Sequence, residues 1–245
     1  MNYQSVFKRY ELKYIISEDE RAELFDSIKD KITCDKYPSS TVRNIYFDTD
    51  SFRLIRRSID KPTYKEKLRI RSYSQIQSDG CVFVEIKKKY KSVVYKRRVV
   101  MREGDAIEWL TGEEIRDGSQ IEREVSYFKN FYSPLSPKLF LSYDREAYCS
   151  RLDTGVRLTV DRNILARRDR LSLTEEVGGV PLLESGLCLM EIKCPGAMPL
   201  WLAHRLSEMR IYKTSFSKYG TAYRKYIFND IKENTNDGIA VSGNF

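Results

Sequence analysis

Apolar and charged residues alternate along several segments of this chain, and the alternation predicts β-strands. In the clearest segment, residues 67–71, two apolar residues alternate with three cations. Successive side chains of a strand point to opposite faces of its sheet, so this segment has one apolar face and one cationic face. The same pattern, with β-branched and aromatic content, predicts eight strands at residues 5–16, 41–48, 64–74, 81–88, 93–101, 138–149, 155–165 and 187–194.

Helix signals lie between and after these strands. Two helices begin at capping boxes, in which a serine hydroxyl accepts a hydrogen bond from the backbone amide three residues later. The predicted helices begin at Ser17 (with Glu20), Ser119 (with Glu122) and Pro199, and a fourth follows Ser217 and extends to Phe228. The apolar stripe of the first predicted helix extends to Ile32.

Strands interspersed with helices predict an α+β fold. We expect a single domain over residues 1–233 and a disordered tail over residues 234–245. Its core is an eight-stranded antiparallel sheet flanked by helices. Eight strands are enough to close such a sheet into a barrel, which here would have a charged lumen.

Positive charge is concentrated in one part of the chain. The whole chain has 43 Lys and Arg against 35 Asp and Glu, a formal net charge of +8. Residues 61–100 contain twelve basic and three acidic residues, so this segment alone carries more than the excess of the whole chain. A local excess of this kind indicates a binding site for a polyanion rather than a generally basic surface.

The cysteines and the lack of long apolar runs indicate the cellular compartment of the protein. Five cysteines are scattered and include no CxxC pair, so neither a disulfide framework nor a zinc site is expected. There is no apolar run of the signal-peptide type and no run of about 18 apolar residues. We therefore expect a cytoplasmic protein with no membrane segment in this chain, and the sequence predicts no oligomeric state.

Several common catalytic sites are excluded by the residue types that the chain lacks. Its one histidine, His204, rules out an HExxH zinc site, and no GxSxG motif supports a Ser-His-Asp triad. Walker A and GxGxxG loops are also absent. Phosphates would therefore be bound by neither a P-loop nor a dinucleotide-binding fold.

Cations lie on one predicted face of seven of the eight strands, accompanied by a few carboxylates. This face includes Lys13, Arg69, Arg71, Lys87, Lys96, Arg145, Arg157 and Lys193, together with Tyr143 and Asp161. It is either a solvated outer surface or, if the sheet closes, a lumen that binds phosphates through charge-assisted hydrogen bonds. Glu11, Glu85 and Glu191 either neutralise neighbouring lysines or hold Mg²⁺ or Mn²⁺ beside bound phosphates.

Nine segments, in order, carry a resemblance to a known family. They are YELKY at 10–14, NIYFDT at 44–49, KLRIRSY at 67–73, VEIKKK at 84–89, YKRRV at 95–99, SYDREAY at 142–148, GVRLTVD at 155–161, MEIKCPG at 190–196 and SFSKYG at 215–220. The chain thereby resembles the VTC (vacuolar transporter chaperone) catalytic domain, the polyphosphate polymerase branch of the triphosphate tunnel metalloenzymes. The resemblance implies an eight-stranded tunnel that holds a triphosphate or polyphosphate chain along its axis.

The resemblance also implies roles for individual residues. Lys13, Arg69, Arg71, Lys87, Lys96, Arg145 and Arg157 would grip the phosphates. Tyr143, Ser217, Lys218 and Lys193 would assist in phosphate binding. Glu191 would hold Mn²⁺ or Mg²⁺, and the strand pattern adds Glu85 and Glu11 as candidate metal ligands.

Two departures from the family pattern bear on the activity. Hydrolases of the superfamily carry ExExK on the first strand, whereas this chain has Arg9 in place of the first glutamate. This difference favours a polymerase over a triphosphatase or a class IV adenylate cyclase. At the other departure, Ser215 replaces a lysine, and Lys213 is the nearest substitute.

The expected reaction is transfer of the terminal phosphoryl group of ATP to a growing inorganic polyphosphate chain, with ADP released. Two alternatives stay open. One is a tripolyphosphatase or NTPase that uses the same tunnel with water as acceptor, and the other is a non-catalytic polyphosphate- or RNA-binding module. The expected partners are ATP and polyphosphate or triphosphate, and no nucleic acid is expected.

Overall fold

A single antiparallel sheet forms the centre of the molecule in a computed structural model that describes residues 10–78, 80–91 and 93–228. Its strands are β1 (Tyr10–Ser17), β2 (Ile32–Asp48), β3 (Tyr64–Ser72), β4 (Cys81–Tyr90), β5 (Val93–Arg102), β6 (Ser136–Ser150), β7 (Arg157–Arg167), β8 (Val180–Pro181) and β9 (Leu187–Cys194). The helices are α1 (Glu18–Ser27), α2 (Arg53–Ile59), α3 (Glu103–Thr111), α4 (Gln120–Tyr132), α5 (Leu200–Glu208) and α6 (Lys218–Ala222), and a π-helical turn, Tyr223–Ile227, continues α6.

The strand order is β1-β9-β7-β6-β2-β3-β4-β5, with the short β8 paired to β7. The sheet curls strongly. The Glu11 carboxylate on β1, at one end of the strand order, lies 3.6 Å from the Lys87 ammonium on β4, near the other end. We call the face toward which it curls the inner face. The described pairings include none between β5 and β1. The antiparallel α+β architecture is confirmed, but closure of the sheet into a barrel is not shown.

Apolar residues cover the outer face and close part of the inner face. Helices α3 and α4 pack on the outer face of β2 to β5 around Trp109, and α1 and α5 pack on the outer face of β1, β7 and β9 around Leu24 and Leu202. Helices α2 and α6 instead cover inner-face residues of β2 and β6, among them Val42 and Leu141. Charged side chains occupy the rest of the inner face.

The predicted elements differ from the observed ones in several places, and the two-residue strand β8 was not predicted. Strand β2 starts nine residues before the predicted strand at 41–48, and α2 and α3 were not predicted. Helix α1 ends at Ser27, so the prediction that Ile32 belongs to the first helix was wrong. Ile32 is the first residue of β2. The predicted fourth helix is divided between α6 and the π-helical turn. Residues 5–9 of the first predicted strand and the predicted tail, 234–245, lie outside the described residues.

Within the described part of the chain, every helix is too short or too polar to cross a membrane.

Candidate functional site

The charged part of the inner face contains nine cations and four carboxylates whose side chains contact one another or shared neighbours. The cations are Lys13, Lys67, Arg69, Arg71, Lys87, Lys96, Arg145, Lys193 and Lys218, and the carboxylates are Glu11, Glu85, Asp161 and Glu191. All but Lys218 come from strands, where alternation places them on the same face as predicted. Cations exceed carboxylates by five in this cluster, which we call the inner cluster.

Arg69 and Glu85 form the centre of one half of the inner cluster. Both Nε and Nη2 of Arg69 donate to one oxygen of Glu85, at 2.9 and 2.8 Å, and Lys96 Nζ lies 2.6 Å from the other oxygen. Burial opposes the ionisation of Glu85, but the charges of Arg69, Arg71 and Lys96 outweigh it and lower the pKa to about 2. Glu85 therefore serves here to fix the orientation of Arg69.

Tyrosine hydroxyls accept hydrogen bonds from the two inner-cluster arginines of β3. Arg69 Nη1 donates to Tyr46 Oη at 3.0 Å, and Arg71 Nη2 donates to Tyr143 Oη at 3.1 Å. Arg71 Nε also donates to Asn44 Oδ1 at 2.7 Å. Burial would raise the pKa of Tyr46, but neighbouring positive charge, chiefly that of Arg69, lowers it to about 8. Each guanidinium is thus held in one orientation before any ligand binds.

Asp161 and Glu191 form the centre of the other half of the inner cluster. Arg145 binds Asp161 in a bidentate pair at 2.6 and 2.8 Å, and Lys218 Nζ donates to Asp161. Lys218 also lies 3.4 Å from Glu191. Although burial disfavours the charged forms, the pKa of Glu191 is held well below its ordinary value, mainly by Lys218. Ionised carboxylates and cations therefore coexist in this buried region.

Glu11 and Glu191 converge on one point of the inner face. Both carboxylates lie 3.4 Å from the Lys13 ammonium. Burial opposes ionisation of Glu11, but the charge of Lys87 lowers its pKa to about 2 despite repulsion from Glu191. The hydroxyl of Thr159, the cross-strand neighbour of Glu191, is buried without a hydrogen-bond partner among the described residues.

This donor set fits a magnesium or manganese ion. Hard divalent cations prefer oxygen ligands, and at phosphate sites they take one or two carboxylates from the protein and the rest from phosphates and water. Glu11 and Glu191 supply two such carboxylates, whereas Glu85 is engaged by Arg69 and Lys96. In the described ranges, no group of three or more metal-ligating residues converges. A metal here would therefore need ligand oxygens to complete its coordination.

Three lysines of the inner cluster have pKa values well below that of an ordinary lysine. Burial is the main cause of the low pKa of Lys67, Lys96 and Lys193, each about 8. For Lys67 the charges of Lys87 and Lys13 add to the effect of burial. An anion bound nearby would raise these pKa values, because its negative charge favours the protonated ammonium groups.

The segment before and within α6 completes the site from a distant part of the chain. Ser217 caps α6 by accepting from Gly220 N, and its Oγ also accepts from Lys67 Nζ at 3.1 Å. The backbone carbonyl of Phe216 accepts from Lys13 at 2.9 Å. The predicted pair Ser217 and Lys218 is thus brought to the inner cluster, although neither lies on a strand.

Arg157 occupies a more peripheral place than the other predicted cations. Its Nε lies 2.7 Å from Asp35 Oδ2, and its side chain is 43% exposed. Among the predicted site residues, Lys193 is its cross-strand partner. The structure therefore brings the other predicted site residues together at the inner cluster, whereas Arg157 lies apart from it in a pair with Asp35.

Three residues of the inner cluster or in contact with it were not among the predicted site residues. The strand pattern placed Lys67 and Asp161 on the charged face of β3 and β7, but neither was assigned to phosphate or metal binding. Tyr46 has a weaker signal, because only its alternation with Asn44 on β2 indicates the inner face.

Comparison with known proteins agrees with this geometry. A family described as the VTC domain matches residues 8–227. No curated protein sequence matches the chain significantly. Among solved structures, a candidate adenylate cyclase from Bacillus halodurans has a TM-score of 0.54 and 16% identity, covering 91% of this chain and 100% of that one. This likeness shows a shared fold.

A second solved structure is a candidate adenylyl cyclase from Hippeastrum that is described as having a dominant triphosphatase activity. It has a TM-score of 0.49 and 17% identity, covering 87% of this chain and 94% of that one. The match to the family covers most of the chain and implies an activity on phosphate-bearing ligands. The chain belongs to the VTC domain family.

Proposed function

We propose that this protein is a metal-dependent polyphosphate polymerase, which transfers the terminal phosphoryl group of ATP to the end of a polyphosphate chain and releases ADP. The observation that carries the proposal is the excess of five cations in the inner cluster. Uncompensated charge at a partly buried site is costly, and a chain of phosphates would neutralise it. The family membership supports the same class of ligand.

The arrangement of the arginines suits the charge that develops during phosphoryl transfer. That charge spreads over the oxygens of the transferring group, and catalysis depends on positioning and electrostatic stabilisation. Arg69 is held by Glu85 and Tyr46, and Arg71 by Asn44 and Tyr143. Donors fixed in advance need no reorganisation during the reaction, so they stabilise the transition state more than mobile ones. No covalent intermediate is required.

Glu191 and Glu11 would hold the divalent ion, and the ion would neutralise phosphate oxygens that the cations leave unpaired. The surrounding lysines would bind the remaining oxygens. Lys13 lies between the two carboxylates and would donate to phosphate when the ion takes its place.

The choice of a polymerase rests on the first strand of the sequence. Arg9 stands where hydrolases of the superfamily have the first glutamate of ExExK. A site without that carboxylate has one group fewer to hold metal or to activate water, which favours phosphate over water as the acceptor.

Product analysis tests the proposal directly. The purified chain is incubated with ATP and Mn²⁺, with and without a short polyphosphate primer, and polyphosphate, ADP and free phosphate are measured. The proposal predicts long chains and an amount of ADP that matches the phosphate incorporated. Free phosphate without chains would assign the protein to the hydrolases, and tight tripolyphosphate binding without turnover would indicate a non-catalytic binding module.

A further inference from the structure

An aromatic ledge lies at the edge of the inner face next to Arg71. It consists of Tyr73, Phe83 and Arg98. Phe83 is the cross-strand partner of Arg71, and Arg98 is the cross-strand partner of Glu85. Strand alternation places Phe83 and Arg98 on the inner face, one step further along β4 and β5 than Glu85 and Lys96. The ledge therefore continues the phosphate-facing surface outward.

In the ledge the two aromatic rings pack edge to face, and the Arg98 guanidinium lies over one of them. The rings of Tyr73 and Phe83 are 5.7 Å apart at 75°, and the guanidinium of Arg98 lies 4.8 Å over the Phe83 ring. The guanidinium of Arg71 lies 5.9 Å from the Tyr73 ring. Arg71 thus links the ledge to Tyr143 and the inner cluster.

The ledge is open to solvent, and among the described residues no carboxylate pairs with its arginine. Tyr73 is 41% exposed, and Arg98 is also exposed. Within the described ranges, Arg98 has no carboxylate within 4 Å, whereas the neighbouring Lys96 and Arg97 each have one. Exposed aromatic faces beside a guanidinium are a surface on which planar, electron-rich rings stack.

We propose that the ledge binds the nucleobase of the nucleoside triphosphate donor, an inference that rests on the proposed function. When the triphosphate lies along Arg69 and Arg71, the ribose and base extend outward along the strands. One two-residue step of a strand is roughly 7 Å, comparable to the length of a ribose, and it leads from the Arg69 and Glu85 pair to Phe83. The base stacks on Tyr73 and against the face of the Arg98 guanidinium that is turned away from Phe83, and Phe83 holds both side chains in place.

This subsite distinguishes a nucleotide donor from the polyphosphate acceptor. Both ligands present phosphates to the inner cluster, but only the donor carries a base. Stacking on aromatic side chains is tolerant of base identity, so we expect modest preference among purine nucleotides. A subsite of this kind favours ATP at one end of the site without hindering a chain that has no base.

The test compares two probes, ATP and inorganic tripolyphosphate, by calorimetric titration of the full chain without added metal. Tyr73→Ala and Phe83→Leu remove aromatic surface without changing the charge. We expect each to weaken ATP binding by about tenfold, with tripolyphosphate affinity changed by less than twofold. Tyr127→Ala, at an exposed tyrosine of α4 far along the chain, is the matched control, and thermal melting of each variant checks the fold.

A second pair of variants tests the cation of the ledge. Arg98→Ala should lower the ratio of ATP affinity to tripolyphosphate affinity by at least threefold. Arg97→Ala, on the opposite face of β5 and paired with Glu124, should leave the ratio unchanged. The ratio is used because any lost cation weakens both polyanions.

The outcomes separate this inference from the proposed function. Unchanged ATP affinity in both aromatic variants, or an equal loss for both probes, would overturn the ledge while the polymerase proposal stands. If the wild-type protein binds neither probe, with or without added Mn²⁺, both proposals fail. Selective loss of ATP binding supports the ledge.

Discussion

The inner and outer faces of the sheet use the same charged residue types in different proportions. On the outer face, Arg162 pairs with Glu18 at 2.6 Å and also with Glu146, and Arg21 pairs with Glu18 at 2.8 Å. Two cations there meet two carboxylates, so the network is neutral. The inner cluster has nine cations and four carboxylates, although β6 and β7 contribute to both faces.

This difference shows that adjacent residues on one strand can have different roles, because they face opposite sides of the sheet. Arg145 and Glu146 are adjacent, as are Asp161 and Arg162, yet the first of each pair faces inward and the second faces outward. In the outer network of Arg21, Arg162, Glu18 and Glu146, each charge is paired within the protein. In the inner cluster the positive charge is in excess, and under the proposed function a bound chain of phosphates would neutralise it.

The largest expected difference in turnover between an inner-face and an outer-face substitution is at Arg69. Arg69→Ala should lower the turnover of ATP by about 100-fold or more, because it removes a donor that is fixed toward the phosphates. The outer-face control, Arg162→Ala, should change turnover by less than about twofold, because Arg162 pairs with Glu18 and Glu146 on the other side of the sheet from the inner cluster. Steady-state rates of ADP release provide the measurement.

The fold of each variant must be checked, because Arg69→Ala leaves Glu85 with Lys96 as its closest cation. Melting curves and the double variant Arg69→Ala with Glu85→Ala address this point. The double variant should recover stability but not turnover. A folded Arg69→Ala protein with a rate within threefold of the wild type would contradict the assignment.

A second test compares two carboxylates. Glu191→Gln should lower turnover by about tenfold to 100-fold at low Mn²⁺, because it removes one of the two carboxylates proposed to hold the metal. Raising the Mn²⁺ concentration should recover part of the loss. Glu146→Gln on the outer face should leave the Mn²⁺ dependence unchanged. An identical metal dependence in both variants would place the ion elsewhere.

The smallest expected effect concerns the pH dependence of binding. The pKa of Lys67 is about 8 in the free protein, so its charge is lost as the pH rises from 7 to 9. Tripolyphosphate affinity should therefore decrease over that range, and in Lys67→Met the decrease should be up to about tenfold smaller. Because both proteins meet the same ligand at each pH, the titration of tripolyphosphate itself cancels in the comparison.

The stability of the ligand-free protein should change in the opposite direction. The folded pKa of Lys67 lies below its ordinary value of 10.5, so between about pH 8 and 10.5 the unfolded state binds a proton that the folded state does not. Its contribution to the free energy of unfolding therefore rises with pH over that window. Urea unfolding of wild type and Lys67→Met at pH 7 and 9 measures this contribution, and equal pH slopes would contradict it.

The sequence predicted most of the sheet, because most strands have one apolar face against helices and one charged face. β9 has the predicted bounds, 187–194, and alternates between apolar and charged residues from Met190 to Cys194. The first half of β2 was missed because its residues, among them Asp35, Lys36 and Pro38, are polar or break the pattern. The short α2 was missed because its N-cap residue, Phe52, is apolar. The hydrogen bonds of its first amides are instead accepted by Thr49, from Arg53 N, and by Asp48, from Leu54 N.

The site was predictable to the extent that it lies on strands. Alternation placed Arg69, Glu85 and Arg145 on one face, and the structure brings them there. The contribution of α6 depends on contacts across the fold, such as Lys67 with Ser217, and only the family resemblance indicated it. Alternation also could not show which carboxylates lie near one another, because that depends on the curl of the sheet, which brings Glu11 and Glu191 together and leaves Glu85 with Arg69.

Calorimetric titration of inorganic tripolyphosphate into matched variants of the two faces tests the central claim most directly. We expect one binding site per chain in the wild type and in Arg162→Ala, and at least tenfold weaker binding in Arg71→Ala, which loses charge-assisted hydrogen bonds. Equal affinities in Arg71→Ala and Arg162→Ala, or no binding to the wild type, would contradict the claim that the inner cluster is built for a chain of phosphates.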